Sequence, residues 1–278
     1  SYFAIIHAIL PRFSVIKRQA VGHFGEIQII AANIDYAFIV QSVDRDFNIN
    51  RIERYLTICN SSKVNPLIIL TKTDLITEER LSEITESIKR RIKEIPLIAI
   101  SNESKVGLEM VKSLIKKGKT YCMLGSSGVG KSTLLNNLAQ KEIMKTDTIS
   151  QSANRGKHIT SHRELIVLES GGLLIDNPGM REVGIADSAN GFEKTFDQII
   201  EIAQQCKFAD CKHINETGCA VLEAVENGTI DHASYENYLK MEREKTHFES
   251  SVAEKRKKDK AFGKILKDYY KKDIKQKR

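Results

Sequence analysis

The chain has 278 residues, of which 41% are apolar, and its 43 basic and 36 acidic side chains give a formal net charge of +7. This length suffices for two or three domains with a buried core, and no run approaches the roughly 20 apolar residues that cross a membrane. The basic excess is local, because residues 240–278 hold 15 Lys or Arg against 7 Asp or Glu. Such a tail is either a solvated helical face or a surface that contacts nucleic acid.

The first 33 residues are rich in predicted strand. Phe3 to Leu10 is an apolar run closed by Pro11, and Phe13 to Lys17 predicts a shorter strand. Two or three strands cannot bury a core alone, so we expect residues 1–33 to be the end of a larger β module. The chain start lacks the layout of a secretory signal, and five cysteines, an odd number, favour a reducing compartment. Both features predict a cytoplasmic location.

From Asp35 the pattern changes to apolar strands that alternate with amphipathic helices. The predicted elements are a strand at 36–40, a helix at 50–59, a strand at 67–70, a helix at 78–93, a strand at 97–100, a helix at 108–115 and a strand at 120–124. Continuous apolar strands between helices indicate a parallel sheet covered on both faces. The sequence therefore predicts an α/β fold, with its ligand at the carboxyl ends of the strands.

Residues 125–132 form the pattern G-x-x-x-x-G-K-[ST], with a strand before it and a predicted helix after it. Glycines let backbone N–H groups turn inward around a polyphosphate, and the helix start adds partial positive charge. We expect Lys131 to reach the β- and γ-phosphates and Ser132 to hold Mg²⁺. An accidental glycine-rich turn is the alternative, but the flanking elements favour nucleotide binding. The predicted phosphate contacts are Gly125, Ser126, Ser127, Gly128, Val129, Gly130, Lys131, Ser132 and Thr133.

Two further motifs follow predicted strands. The first is Thr71-Lys72-Thr73-Asp74, where the Asp74 carboxylate could accept two hydrogen bonds that guanine can donate and adenine cannot. A helix cap before Leu75 explains the same aspartate equally well. The second is Ser101-Asn102, where a backbone N–H could bind the guanine carbonyl oxygen. The candidate base contacts are Thr71, Lys72, Asp74, Leu75, Ser101 and Asn102.

Residues 147–161 are too polar and too long for a core element, as expected for a switch segment. Within this segment, Thr160 could close over Mg²⁺ and the γ-phosphate. A hairpin is predicted at 165–175, and the chain continues as Asp-Asn-Pro-Gly. Asp176 at that strand end is placed to reach Mg²⁺, and the Gly179 N–H to sense the γ-phosphate.

The order of these motifs resembles that of the circularly permuted GTPases, because the two candidate guanine-binding motifs, at residues 71–74 and 101–102, precede the phosphate loop. Four short sequence segments narrow the resemblance to the ribosome small-subunit-dependent GTPase A family (YjeQ/RsgA), and the likeness covers about residues 8–240. The segments that carry it are Leu10-Pro11-Arg12, Ile30-Ala31-Ala32-Asn33-Ile34-Asp35, Arg54-Tyr55-Leu56 and Gly156-Lys157-His158. One departure is Thr71, where the family more often has Asn.

The resemblance implies a domain order and a role. Residues 1–33 would be a remnant of an N-terminal OB-fold, 34–190 the circularly permuted GTPase domain, and 191–278 a helical zinc-binding domain with the basic tail. It also implies GTP as substrate and action on the maturing small ribosomal subunit and its rRNA, with hydrolysis driving release. We expect a monomer.

The position that orients the attacking water in many GTPases is unusual here. A Gln often follows the Asp-x-x-Gly motif, but this chain has Met180, which lacks an amide or ionisable group. His158 is the candidate that positions or deprotonates the water, and a histidine that contacts RNA or phosphate is the alternative. The expected catalytic residues are His158, Thr160 and Lys131.

Cysteine and histidine cluster in the C-terminal part. Cys206, Cys211, His213 and Cys219 place three thiolates and an imidazole within 14 residues, which is typical of a closed structural Zn²⁺ site. Separate buried cysteines with a capping histidine are the alternative. The remaining Cys59 and Cys122 fall on a predicted helix and strand, so we interpret them as core thiols. Helices are predicted at 192–204, 219–226 and 235–244.

Two other functions fit parts of the sequence. A zinc-stabilised rRNA-binding module could hold guanine nucleotide as a structural ligand with little turnover, and Met180 favours that hypothesis. An ATPase would share the phosphate loop but would not depend on Asp74.

Overall fold

The computed structural model describes residues 5–19, 27–140, 164–176 and 189–276. Among these residues a six-stranded sheet forms the centre, in the order β5-β4-β3-β6-β8-β7, and β1 pairs with β2 beside it. The strands are β1 Val15–Gln19, β2 Ile27–Ala32, β3 Tyr36–Ser42, β4 Asn65–Thr71, β5 Leu97–Ala99, β6 Thr120–Leu124, β7 Glu164–Val167 and β8 Leu173–Asp176. The helices are α1 Ile49–Ser62, α2 Glu78–Arg91, α3 Leu108–Ser113, α4 Lys131–Ala139, α5 Ala189–Thr195, α6 Asp197–Ala203, α7 Ala220–Glu226 and α8 His232–Gln276, and a 3₁₀ turn covers Thr73–Leu75.

The sheet is parallel except at one edge. β3 pairs in parallel with β4 and β6, and β6 with β8, whereas β7 returns antiparallel to β8 as the predicted hairpin. The chain moves outward from β3 to β5 and then returns to the other side of β3 as β6. The order therefore reverses between β3 and β6, and ligands of open parallel sheets bind at such a switch point. The predicted α/β class is confirmed.

Alternate residues of β3 enter two separate cores. Ala37 and Ile39 belong to a cluster with α1 and α2, whereas Phe38 and Val40 belong to one with α3 and α4. Side chains of a strand point alternately to the two faces of a sheet, so both faces are covered by helices. This burial explains why continuous apolar runs identified the strands.

The predicted strand at the N-terminus is wrong for the residues described. Residues 5–10 are not in a strand, and the side chains of Ile6 and Ile9 are 83% and 82% exposed. An apolar run becomes a strand only where a neighbour supplies hydrogen bonds, and no described strand pairs with this segment. The shorter strand is confirmed with a shift of two residues, as β1.

The C-terminal helices pack around a third core. The helix predicted at 192–204 is interrupted at Phe196, where the backbone leaves helical geometry between α5 and α6. The Phe196 ring is almost fully buried and packs with Phe192 and Tyr238, so tertiary packing holds this break. α8 runs for 45 residues, far beyond its predicted end. None of the helices described has the length and apolarity that crossing a membrane requires.

Candidate functional site

The phosphate loop lies at the switch point of the sheet. It begins at Gly125, whose φ is 154° and where a Cβ would lie 2.3 Å from the Val40 carbonyl oxygen at the end of β3. Only glycine fits this approach. The loop ends at Gly130, from which α4 starts without a side-chain cap. The first N–H groups of α4 are therefore suited to an anion, as a phosphate loop requires.

Lys131 lies back over the loop that precedes it. Its Nζ donates to the Gly125 carbonyl oxygen at 2.7 Å and also to the carbonyl oxygen of Ser126. The ammonium group therefore lies against the loop into which a polyphosphate would fit. Ser132 follows it in the first turn of α4 and is partly buried.

The predicted guanine motif is joined to the phosphate loop by hydrogen bonds. The buried Thr71 hydroxyl donates to the Val129 carbonyl oxygen at 2.6 Å. In the segment after β5, Asn102 Nδ2 donates to the Gly130 carbonyl oxygen at 3.1 Å, and the Asn102 carbonyl oxygen accepts from Asn137 of α4. Three segments that are distant in sequence thus meet at one edge of the sheet.

Asp74 lies in the 3₁₀ turn after β4, and its side chain is exposed. No described residue donates to its carboxylate, which leaves both oxygens for a ligand. The adjacent Lys72 has a positive φ of 61°, and its Nζ pairs with Asp44 Oδ2 at 2.7 Å. Leu75 is 62% exposed beside them.

Asp44 is a site residue that the sequence reasoning missed. It follows β3, and it accepts hydrogen bonds from Ser42 Oγ and the Asp46 N–H as well as from Lys72. Partial burial alone would raise the pKa of Asp44, but these bonds and the Lys72 charge hold it below its usual value. Its position after an apolar strand was the signal that could have found it.

Of the two residues in the predicted base loop, Ser101 has its N–H already engaged. It donates to the Val106 carbonyl oxygen at 3.1 Å, and Ser101 Oγ accepts from the Ser104 N–H. No described residue accepts from the Asn102 N–H. Asn102 is therefore the donor that remains for a base.

Several predicted residues lie outside the described residues, namely His158, Thr160 and Gly179. The backbone of Asp176 is described, because it ends β8 opposite Glu164 of β7. β8 is parallel to β6, so Asp176 at the end of β8 and the phosphate loop after β6 lie at the same edge of the sheet.

The four predicted metal ligands form one cluster. The donor atoms of Cys206, Cys211, His213 and Cys219 all lie within 4.8 Å of one another. Cys206 Sγ is 3.9 Å from Cys219 Sγ, and His213 Nδ1 is 3.6 and 3.4 Å from these two sulfurs. Tetrahedral bonds of ordinary zinc length would place two sulfurs about 3.8 Å apart and a sulfur about 3.6 Å from a nitrogen. The donor set therefore fits a tetrahedral metal.

The start of α7 points backbone N–H groups at two of these sulfurs. Cys219 caps the helix and accepts from the Leu222 N–H at 3.4 Å. Desolvation by itself would raise the pKa of Cys206, but hydrogen bonds from the Val221 and Ala220 N–H groups lower it. A lowered pKa favours the thiolate that binds metals, whereas desolvation and the neighbouring thiols raise the pKa of Cys211 to about 11 in the metal-free cluster.

The loop between the ligands has its own support. Glu216 accepts from the backbone N–H groups of Lys212, Ile214 and Asn215, and these bonds lower its pKa to about 2. His213 has a positive φ of 59°, its burial lowers its pKa, and its carbonyl oxygen accepts from the Tyr235 hydroxyl. The cluster is thus tied to α8.

Comparison of the sequence with known protein families identifies the family of this chain. The sequence model described as "RsgA GTPase" matches residues 9–186. This chain belongs to the RsgA GTPase family. Membership makes the protein a GTPase with GTP as its substrate, and the resemblance read from the motifs is confirmed.

Two individual relatives belong to the same family. The chain is 43% identical over 265 residues to "Small ribosomal subunit biogenesis GTPase RsgA 1" of Bacteroides thetaiotaomicron, covering 95% of this chain and 74% of the relative. It is 44% identical to "Small ribosomal subunit biogenesis GTPase RsgA" of Methanosarcina acetivorans, covering 88% of this chain and 66% of that protein.

Solved structures show the same fold. The crystal structure of YjeQ from Thermotoga maritima has a TM-score of 0.63 at 29% identity and covers 84% of this chain and 76% of its own. YloQ, a circularly permuted GTPase, has a TM-score of 0.57 at 24% identity over 90% and 83% of the two chains, and supports the fold alone.

A second sequence model, described as "ABC transporter", matches residues 108–276. That range contains the strand, phosphate loop and helix that many nucleotide-binding proteins share. It omits the guanine motif that contacts the loop, and the relatives that match most of the chain are RsgA proteins. The shared loop accounts for this match.

Proposed function

We propose that this GTPase binds the small ribosomal subunit when it is loaded with GTP, acts in late maturation of the subunit, and leaves after hydrolysis to GDP and phosphate. The printed names of the relatives support the biological role. The observation that carries the nucleotide chemistry is the meeting of Thr71, Asn102 and the phosphate loop at one strand edge.

Each nucleotide contact follows from its position. The free carboxylate of Asp74 reads the two guanine donors, and the Asn102 N–H faces the carbonyl oxygen of the base. Residues 125–133 surround the polyphosphate with N–H groups, and Lys131 exchanges its loop carbonyls for phosphate oxygens. Lys72, held by Asp44, and the exposed Leu75 lie beside the base.

Magnesium would be held by oxygen ligands from Ser132, Thr160 and Asp176. When bound, Mg²⁺ neutralises charge that develops on the phosphate oxygens. Ser132 lies in the first turn of α4 and Asp176 at the end of β8, which suits a shared ion. Gly179 follows in the Asp-x-Pro-Gly motif as a donor to the γ-phosphate.

His158 activates the attacking water, because Met180, at the position where many GTPases have a glutamine, offers no polar group. His158 accepts a proton from, or orients, the attacking water, and Thr160 closes on the γ-phosphate. We expect His158→Ala to retain GTP affinity and to lower subunit-stimulated turnover. Unchanged stimulated turnover would remove His158 from the reaction.

The cluster of three thiols and one imidazole holds structural Zn²⁺, because all four tetrahedral positions are taken by protein.

The proposed domains are an OB-fold remnant at 1–33, the GTPase domain at 34–190, and the zinc-binding helical domain with the basic tail at 191–278. The tail contacts rRNA through Lys and Arg with salt-sensitive affinity, and the protein acts in the cytoplasm as a monomer.

Sedimentation with small ribosomal subunits tests the proposal. Binding in a non-hydrolysable GTP analogue and release in GDP are the expected results. A parallel assay of phosphate release separates the second candidate, a zinc-stabilised rRNA-binding module with little turnover, which Met180 favours. That module predicts no stimulation by subunits, whereas the proposed GTPase predicts a clear rise in rate.

A further inference from the structure

The loop between β3 and α1 fixes the carboxylate of Asp44. Its Oδ1 accepts from the Ser42 hydroxyl at 2.8 Å and from the Asp46 N–H at 3.1 Å. The Asp46 carbonyl oxygen in turn accepts from Nε2 of the buried Gln41 at 2.9 Å. These bonds hold the carboxylate through Oδ1 and leave Oδ2 for a partner outside the loop.

That partner is Lys72, in the segment after β4. Its Nζ lies 2.7 Å from Asp44 Oδ2, and the side chains of Lys72 and Asp44 are only 21% and 24% exposed. A pair that is partly shielded from water is screened less than a surface pair, so it can hold a long lysine side chain in one conformation. A charge-assisted hydrogen bond thus joins the ends of two neighbouring strands.

Lys72 is the residue from which the turn that contains Asp74 starts. Its φ of 61° lies in the left-handed region, which costs free energy for a residue other than glycine unless its surroundings hold it. It precedes the 3₁₀ turn Thr73–Leu75, and its carbonyl oxygen accepts from the Leu75 N–H at 3.1 Å. Asp74 is the middle residue of that turn, so the placement of its carboxylate depends on the backbone of Lys72.

We propose that Asp44 is a positioning residue for guanine recognition, because it fixes Lys72 and thereby the turn that presents Asp74 to the base. The inference rests on the proposed reading of guanine by Asp74. Among the described residues, neither Asp44 nor Lys72 forms a side-chain hydrogen bond with residues 125–133. Asp44 therefore acts on selectivity for the base and not on the grip on the phosphates.

Inosine triphosphate (ITP) makes this selectivity measurable, because its base keeps the N1–H of guanine and lacks the exocyclic amine. A correctly placed Asp74 carboxylate accepts from both donors of guanine and from only one of the inosine base. The unaltered protein should therefore bind GTP more tightly than ITP, and calorimetry gives the ratio of the two Kd values. A displaced carboxylate loses the second hydrogen bond and with it this preference.

Asp44→Asn keeps an oxygen for the two bonds within its loop and replaces the oxygen that faces Lys72 with an amide group. It should lower the preference for GTP over ITP about three- to tenfold, the effect of losing one hydrogen bond, and change the Kd for ITP less than about twofold. Asp35→Asn is the matched control, since Asp35 Oδ1 pairs with Lys119 Nζ at 2.7 Å before the amino end of β3. The control should keep the preference even where its melting temperature falls.

Lys72→Met breaks the same pair from the other side, so the test does not depend on how Asp44→Asn folds. In the Lys72→Met background, Asp44→Asn should change the preference less than about twofold further. Independent, multiplying effects, or an Asp44→Asn protein with the preference of the unaltered one, would overturn the role of Asp44. An unaltered protein that binds GTP and ITP equally would instead contradict the proposed base contact of Asp74, and the inference with it.

Discussion

The Thr71 hydroxyl donates to the Val129 carbonyl oxygen at 2.6 Å, across 58 residues of sequence. Thr71 ends β4 and Val129 lies in the phosphate loop, so one buried hydrogen bond joins the segment proposed to read the base to the loop proposed to hold the phosphates. The threonine thus anchors this segment to the loop.

Thr71→Val removes this bond and keeps the shape of the side chain. The buried Val129 carbonyl oxygen would lose its donor, which costs about 1–2 kcal/mol of unfolding free energy. GTP affinity should fall about tenfold, because the loop loses its fixed position. Chemical denaturation and titration with a fluorescent GTP analogue measure both effects. Thr71→Ser retains the hydroxyl and should behave as the unaltered protein; equal loss in both variants would contradict this role.

The buried pair of Glu53 and Arg91 should matter for stability. Glu53→Ala leaves the Arg91 guanidinium, which is only 7% exposed, with no carboxylate nearer than Asp231 Oδ1 at 3.7 Å, which costs about 3–5 kcal/mol in denaturant unfolding. Exposed Glu83→Ala should change the unfolding free energy by less than about 1 kcal/mol. Equal effects of the two substitutions would show that the buried network contributes nothing.

Glu53 also predicts a pH dependence. Burial raises its pKa above 4.5, so ionisation is less favourable in the folded protein than in the unfolded chain. The stabilisation from this shift is complete below pH 4.5 and is lost as the pH rises through the folded pKa. The stability of the unaltered protein relative to Glu53→Gln should therefore decrease over that range. An increase would mean that the Arg91 pair outweighs burial.

Thiol counting tests the metal centre. After zinc removal at pH 8, the native chain should expose three reactive thiols, those of Cys206, Cys211 and Cys219. Cys59 and Cys122 have no exposed surface, and burial raises the pKa of both thiols, so these two should react only after unfolding. Cys211 is partly exposed; desolvation and the neighbouring thiols raise its pKa to about 11, so it should react in the native chain but slowly. Cys219→Ser should lose the single bound zinc, and Cys59→Ala should keep it. Five reactive thiols in the native chain would contradict the assignment.

Gly191 marks close packing of α5 on α1. A Cβ there would lie 2.0 Å from Ser61 Oγ and 2.4 Å from the Thr57 carbonyl oxygen. The overlap costs about 1–3 kcal/mol and exceeds the gain in helix propensity of about 1 kcal/mol from alanine. Unfolding free energies should fall further from Gly191→Ala to Gly191→Ser. At Gly118, which has open space, alanine and serine should cost the same; an equal cost at Gly191 would refute the overlap.

The sequence predicted what depends on local pattern. Strands β3, β4 and β6 were found because their residues are buried on both faces of the sheet. Four metal ligands were found because their spacing is short and their chemistry is distinctive.

Pairing between distant segments could not be predicted in this way. Residues 5–10 have the composition of a strand but no described neighbour to pair with. The break at Phe196 depends on the Tyr238 ring of α8, and the pair of Asp44 and Lys72 joins two strand ends. Each of these features is decided by tertiary contacts that composition and periodicity do not contain.

Nucleotide selectivity of Asp74→Asn tests the central claim most directly. Asparagine replaces one acceptor oxygen with a donor, so GTP affinity should fall at least about tenfold while xanthosine triphosphate gains affinity. Calorimetry with GTP, xanthosine triphosphate and ATP on both proteins measures the change, and the unaltered protein should prefer GTP. ATP binding as tight as GTP binding, or the same selectivity in both proteins, would contradict the convergence of Asp74 and the phosphate loop on one guanine nucleotide.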